Sequence, residues 1–431
     1  MARSTAPGPE PGPGPLLGHG MGLVPVPPDW PPLRTEEVCR LLARLVGLDD
    51  ASAARITWHS PRPFAATAII SVPGTGGGEP RRLVVKRHHR AVRTRTSLQA
   101  EHAFMAHLAA KGVAVPRALD DGARSAWAED DFVYEVLELL DGHDLYREAR
   151  SWTPFTSVGH AQAAGRALAR LHLASQTYAA PARPHEPLRA SAEIVSCAEP
   201  VAAVAALAEH RPGLAGFLRH RPWRRELANS LGPLHARFLP HADALAPLWA
   251  HNDWHPSNLL WSGPGAGAQV TGVIDFGLSN LTTACYELAT AIERSAIGWL
   301  GPADRRTVRP DLVKALLGGY SSLRPLGPEE RAALPHLLPV VHVDYALSEV
   351  EYFHAVARSP ANAMLAYRDY LFGHLEWFAG PEGTALCSYV EQVVNAGRRP
   401  NGRAAPAGRP SSAVRPGARS RAPLPPPSRS G

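Results

Sequence analysis

The sequence predicts an α+β fold in two lobes, a small antiparallel β lobe carrying one helix and a larger, mainly helical lobe. Three observations lead there. Apolar and β-branched runs joined by a glycine-rich turn fill residues 55–86, helical periodicity dominates from about residue 141, and one strand pair, LLW and QVTGVIDF at residues 259–276, interrupts the helices. At 431 residues the chain is too long for one core and long enough for two once its ends are set aside.

Each element follows from its residues. Residues 1–33, with PGPEPGPGP and VPVPPDWPP, read as a disordered Pro/Gly-rich tail; lacking a basic n-region and an apolar h-region, they are not expected to be a signal peptide. TEEVCRLLARL offers Thr35 as an N-cap and Val38, Leu41, Leu42 and Leu45 along one helical face. RITWH, FAATAIISV and RRLVVK read as strands, the last two joined by the hairpin turn PGTGGGEP. In SLQAEHAFMAHLAAKGV, Leu98, Phe104, Met105 and Leu108 share a helix face and Gly112 is a C-cap. DFVYEVLELL is a strand that stops at Asp141-Gly142, so the first lobe is taken as residues 34–140. The second, residues 141–396, has helical runs near 163–175, 310–320, 328–338, 340–358, 362–378 and 384–396. Residues 397–431 read as a disordered Arg/Pro-rich tail.

Charge and composition exclude several classes. The net charge is +6, but the tail from Gly397 carries eight arginines and no acid, which leaves the body close to neutral and without a basic face for specific nucleic-acid binding. A tail working on RNA or lipid would show strongly salt-dependent binding lost on its deletion. Cys39, Cys197, Cys285 and Cys387 form no C-x-x-C pair, which fits a reducing, cytoplasmic setting. No apolar run reaches the roughly 20 residues that span a bilayer. Lysine occurs only at Lys86, Lys111 and Lys314.

The chemistry concentrates in HNDWHPSNLLW, residues 251–261. Phosphoryl transfer needs a carboxylate beside the accepting hydroxyl, hard oxygen ligands for Mg²⁺ and a cation on the phosphates. Asp253 precedes Asn258 by five residues, and the hairpin returns the chain so that Asp275 of VIDFG emerges beside Asn258. A polar hairpin with capped turns is the competing explanation.

The pattern H-x-D-x-x-x-x-N followed by I-D-F-G resembles the catalytic and metal loops of the protein-kinase-like fold, specifically the aminoglycoside phosphotransferase and choline kinase family of small-molecule kinases; LARLH at residues 168–172 is similar to the helix preceding that loop. The resemblance covers roughly residues 50–300. It implies ATP and Mg²⁺ as cofactors, Asp253 as catalytic base, Asn258 and Asp275 as magnesium ligands and His251 as a loop-stabilising residue; His255 is read as bonding the loop backbone, against a direct role. In such folds a strand lysine contacts the nucleotide phosphates and a helix carboxylate positions it; Lys86 and Glu101 stand in that order. Glu138, Leu139 and Leu140 are the hinge candidates for the adenine. The pattern departs from protein kinases at HSPRPFAA, where Pro61 and Pro63 donate no N–H and Arg62 offers a charge instead.

Only about ten residues join Asp275 to the helix YELATAIERSAIGWL, too few for the platform that holds a peptide substrate. The expected acceptor is therefore a small-molecule alcohol: an aminoglycoside, sugar, amino alcohol or related metabolite. In HVDYALSEVEYFHAV, Asp344, Ser348, Glu351 and Tyr352 fall within one face's reach, and Asp344 and Glu351 are the candidate substrate carboxylates. Two other readings stay open, a nucleotide-binding regulator without turnover and a protein Ser/Thr kinase.

Overall fold

The computed structural model describes residues 18–19, 25–45, 51–74, 78–300 and 306–396; the arginine-rich tail and the centre of the PGTGGGEP turn lie outside them. Two short strands, β1 (Gly18–His19) and β2 (Pro25–Val26), pair antiparallel. Helix α1 (Thr35–Leu42) begins at the proposed cap itself, so the cap falls one residue earlier than expected: Arg34 is the N-cap, and Glu37 reaches back to accept its N–H at 3.3 Å. The small sheet then runs in the order β3 (Arg55–His59), β4 (Ala66–Val72), β5 (Arg81–His89), β7 (Phe132–Glu138), β6 (Trp127–Glu129), all antiparallel. Strand β6 escaped the sequence reading because three residues carry no period; Asp130, with φ 53°, makes its turn to β7. Between β5 and β6 lies α2 (Arg95–Ala110), capped by Thr94, whose hydroxyl accepts the Ser97 N–H at 3.1 Å.

Residues 25–33 correct the expectation of a disordered tail. Trp30 stacks on His89 at 4.8 Å, Leu33 is buried, Arg87 donates to the Pro31 carbonyl, and Tyr352 donates its hydroxyl to Asp29 at 2.9 Å. Proline-rich composition removes backbone donors, but two large apolar anchors and two polar ties suffice to dock an extended strap.

Helix α3 (Val158–Ser175) opens the helical part, and α4 (Pro200–His210), α5 (Pro212–Leu218), α6 (Trp223–Ser230) and α7 (Gly232–Ala242) follow. Two hairpin-like pairs, not the single pair expected, carry the loops: β8 (Pro247–Ala250) with β11 (Asn280–Thr283), and β9 (Leu259–Trp261) with β10 (Val270–Val273). Next come α8 (Ala284–Ala296), α9 (Pro310–Ser321), α10 (Pro328–Leu337), α11 (Val343–Glu351), α12 (Pro360–Leu365), α13 (Gly373–Ala379) and α14 (Pro381–Asn395), with π-helical turns at Tyr352–Val356 and Ala366–Phe372. Helices α3 and α9 cross backbone to backbone because Gly165 and Gly319 interlock: a Cβ on either would strike the Leu316 or Gln162 carbonyl.

Two large cores and a small cluster of Leu98, Ala126 and Val133 hold the described residues. One, with Leu42, Ile70, Val85 and Val136, lies between α1 and the small sheet; the other fills the helical part. Helix α2 belongs to the second, through Phe104 against Trp249 at 5.4 Å and Phe276 at 6.0 Å. The described residues up to Asn395 accordingly form one compact unit. Among the described residues no helix is long and apolar enough to cross a membrane.

Candidate active site

The polar loop of residues 251–258 leaves β8 and is fastened by one buried carboxylate. Glu287, in the first turn of α8, accepts the Asn252 N–H at 2.7 Å on Oε1, and the His251 N–H at 3.1 Å and His172 Nε2 at 2.8 Å on Oε2. His172 ends LARLH, which places that motif behind the loop; its Nδ1 meets the Tyr320 hydroxyl at 2.7 Å. Asn252 is left-handed, φ 62°, a conformation asparagine tolerates better than other non-glycine residues. Its side chain bonds Ala250 O, Asn280 O and the Thr282 hydroxyl. His251 is fully buried: its Nδ1 accepts the Asp253 N–H at 3.1 Å, so the proton sits on Nε2, which donates to the Ile274 carbonyl at 2.9 Å. The imidazole thus ties the loop before Asp253 to the strand before Asp275.

Asp253 points into the cleft with 16% of its side chain exposed. Asn258 Nδ2 donates to its carbonyl at 2.9 Å and to Oδ2 at 3.0 Å, while Arg294 Nη1 and His255 Nε2, the latter at 3.3 Å, meet Oδ1. Burial pushes the Asp253 carboxyl up, but His255 and Arg294 override it and hold it well below the usual range. The same burial lowers His255. Across the hairpin the Ile274 N–H donates to Asn258 O at 2.9 Å, and Asp275 follows in a left-handed backbone, φ 64°, its side chain 46% exposed at the cleft mouth. Lys86 Nζ donates to Asp275 Oδ1 at 2.9 Å. The surrounding protein disfavours the Asp275 charge, Lys86 outweighs that, and the carboxyl stays low.

Among the described residues no group of three or more His, Cys, Asp or Glu could hold a metal ion. The donor set nevertheless suits Mg²⁺, which takes one or two protein oxygens and completes its shell with water and phosphate. The inward-turned Asn258 amino group leaves its amide oxygen, and Lys86 on Oδ1 leaves Asp275 Oδ2.

Several expected residues stand elsewhere. Glu101 does not reach Lys86; it lies 2.7 Å from Arg183 and 3.2 Å from Arg93. The carboxylate beside Lys86 is Glu135, its cross-strand partner in the β5–β7 register, which takes His88 at 3.0 Å and His102 at 2.7 Å. Glu138 uses its N–H on Arg117 O and its side chain on Arg81 and Arg117, and the Leu139 N–H goes to Arg82 O. Among the described residues only the Leu140 amide of the three hinge candidates lacks a backbone acceptor. Arg62 reaches to Ser151 Oγ and Ala149 O, each at 2.9 Å. Asp344 and Glu351 do not line an acceptor face: Asp344 accepts the Ile194 and Val195 N–H groups, Glu351 pairs with Arg211, Ser348 accepts the Leu188 N–H, and Tyr352 holds the strap.

Arg294 and Glu349 were missed. Arg294 lies two helical turns beyond Glu287, and Glu349 sits among the four residues considered for the acceptor face. A buried charge in an otherwise apolar stretch, ATAIERSAI, was the available signal.

The sequence model of the phosphotransferase enzyme family matches residues 74–326, more than half of the chain. Homoserine kinase of Rhodopseudomonas palustris is 30% identical over 237 residues, 54% of this chain and 62% of that protein. Homoserine kinase of Gluconobacter oxydans is 29% identical over 207 residues, 48% and 56%. The match therefore spans less than two thirds of those relatives' own length. Choline kinase of Cryptosporidium parvum Iowa II superposes with a TM-score of 0.50 at 13% identity, over 84% of this chain and 99% of that one, a likeness of fold.

Proposed function

Because the chain belongs to the phosphotransferase enzyme family, we propose that it transfers the γ-phosphoryl group of ATP to a hydroxyl of a small molecule, with Asp253 as base and Mg²⁺ held by Asn258 and Asp275. One cluster carries this reading: Lys86 lies on Asp275 at 2.9 Å, Asn258 grips Asp253 at 3.0 Å, and the two aspartates are close enough to repel.

In this reaction the bond from the γ-phosphorus to the β–γ bridging oxygen breaks, the acceptor oxygen bonds to phosphorus, its proton passes to the Asp253 carboxylate, and ADP leaves. Mg²⁺, when bound, neutralises charge on the β- and γ-oxygens. Lys86 would contact the phosphates, while Asn258 and Asp275 would hold the metal. Asn258 fixes the orientation of the base, and His251 with Glu287 fixes the loop. The Leu140 amide is the hinge donor for the adenine. Glu101, through Arg183 and Arg93, ties α2 to the Gly277 carbonyl just after Asp275. Free cysteines at all four positions suit a cytoplasmic reaction.

The short path from Asp275 to α8 favours a small alcohol over a peptide. Aminoglycosides, sugars and amino alcohols are acceptors to screen, and the relatives' homoserine adds hydroxylated amino acids. A second reading, a nucleotide-binding regulator, draws on Arg294 occupying Asp253 and on Pro61 and Pro63 in the phosphate loop. ADP release with Mg-ATP and an alcohol panel separates the two. Turnover should fall by about 10²–10⁴-fold in Asp253→Asn, as loss of a general base does; equal rates would remove Asp253 from its role, and ATP binding without any turnover would leave the regulator.

A further inference from the structure

The cleft-facing carboxylate that the proposed transfer relies on is bound by a residue that reaches it only through tertiary packing. Arg294 rises from α8 and is 3% exposed; its Nη1 meets Asp253 Oδ1 and lies 3.5 Å from the Asn252 carbonyl. The guanidinium lies over two aromatic rings, 4.9 Å from the centre of Tyr345 and 5.2 Å from that of Trp152. Trp152 is half-buried and held in a left-handed backbone, φ 65°, a conformation a bulky residue keeps only where its surroundings impose it.

The fork of this arginine is half used. Its Nε–H has no hydrogen-bond partner among the described residues, although it is buried; the nearest carboxylate oxygen, Glu293 Oε2, stands 3.9 Å away, beyond hydrogen-bond reach. Nearby, Glu349 Oε2 and the Tyr370 hydroxyl are also buried without partners. Burial raises both Glu293 and Glu349, and neither carboxylate lies within hydrogen-bond reach of the guanidinium among the described contacts. Among the described residues, the only carboxylate in hydrogen-bond contact with Arg294 is the group expected to act as base.

Resting on the phosphotransfer reading, we propose that Arg294 selects an acceptor bearing a carboxylate near its hydroxyl, and that this carboxylate, by taking both prongs of the guanidinium, releases Asp253 to accept the hydroxyl proton. A planar carboxylate satisfies Nε–H and Nη–H together, whereas Asp253 meets one prong. A neutral alcohol offers no anion to exchange, and an ammonium group is repelled. The same residue thus couples specificity to readiness of the base.

The test uses matched acceptors that differ by one carboxylate, L-serine against ethanolamine and glycerate against ethylene glycol, with Mg-ATP and the full chain, read as ADP release. Wild type should favour the carboxylated member by about 10- to 100-fold, the size of a charge-assisted contact, with part of the gain in kcat because the base is freed as well as the acceptor bound. Arg294→Met should bring each pair to within about 3-fold. Arg294→Lys, which keeps the charge without the fork and guards against misfolding, should fall between. If none of these alcohols is turned over, ATP hydrolysis by water gives the readout: acetate should stimulate it in wild type and not in Arg294→Met. Equal rates within the pairs, an unchanged ratio in Arg294→Met, or no response to acetate would overturn the proposal. Turnover that needs Asp253 but ignores the carboxylate defeats this inference alone, whereas ADP release indifferent to Asp253→Asn defeats the phosphotransfer reading.

Discussion

Replacing Glu287 by glutamine puts a number on how the catalytic loop is held. The carboxylate is fully buried and takes three donors, two on Oε2 and one on Oε1. Glutamine has nearly the same volume, so packing is unchanged, but its one oxygen serves only one side. With that oxygen in the Oε2 position, the amide NH₂ faces the Asn252 N–H, a buried donor left without an acceptor at a cost of about 1–3 kcal/mol. The bonds to His251 and His172 lose their charge assistance, about 1 kcal/mol each. The sum is roughly 3–5 kcal/mol, a large share of the 5–15 kcal/mol typical of a folded protein. Urea unfolding followed by tryptophan fluorescence measures it, and kcat measured at a temperature where the variant remains folded should fall with it, because the amides released belong to the loop that carries Asp253. A midpoint shift worth under about 1 kcal/mol with unchanged kcat would refute the assignment of Glu287 as the fastening of that loop.

Two further outcomes follow from the geometry. Lys86→Met removes the cation from Asp275, so nucleotide affinity measured by titration calorimetry should weaken by about 10-fold or more, consistent with the loss of a charged hydrogen bond; unchanged affinity would exclude Lys86 from the phosphates. Glu349 is raised by burial to about 8 from 4.5, so the folded chain keeps a proton that the unfolded chain gives up, and the associated stability is present at low pH and lost as pH rises across that interval. Glu349→Gln should flatten the decline in urea midpoint between pH 5 and 8 by no more than a few kcal/mol; parallel curves would place the titration elsewhere.

What the sequence discloses is what lies close along the chain. Asp253, Asn258 and Asp275 belong to one hairpin, and the return of β9 onto β10 brings them together almost regardless of the rest of the fold. Lys86 is legible because lysine is scarce and its strand is regular. Glu101 misled because sequence order says nothing about which face of α2 turns toward β5; the carboxylate there, Glu135, arrives by strand register from forty-nine residues away. Arg294 is invisible for a similar reason: only the packing of α8 beneath the loop carries it to Asp253. Strands β8 and β11, four residues each, are too short to show alternation, and the strap at residues 25–33 hides two anchors in a composition that reads as unfolded.

Tyr352 sits in a π-helical turn, where its hydroxyl holds Asp29 of the strap while its ring meets that of Phe64 edge to face, 5.2 Å away, in the loop after β3. Two segments distant in sequence are therefore moored to one aromatic post in the helical part. Truncating Tyr352 unties both at once, whereas truncating Phe64 unties one and leaves the other in place.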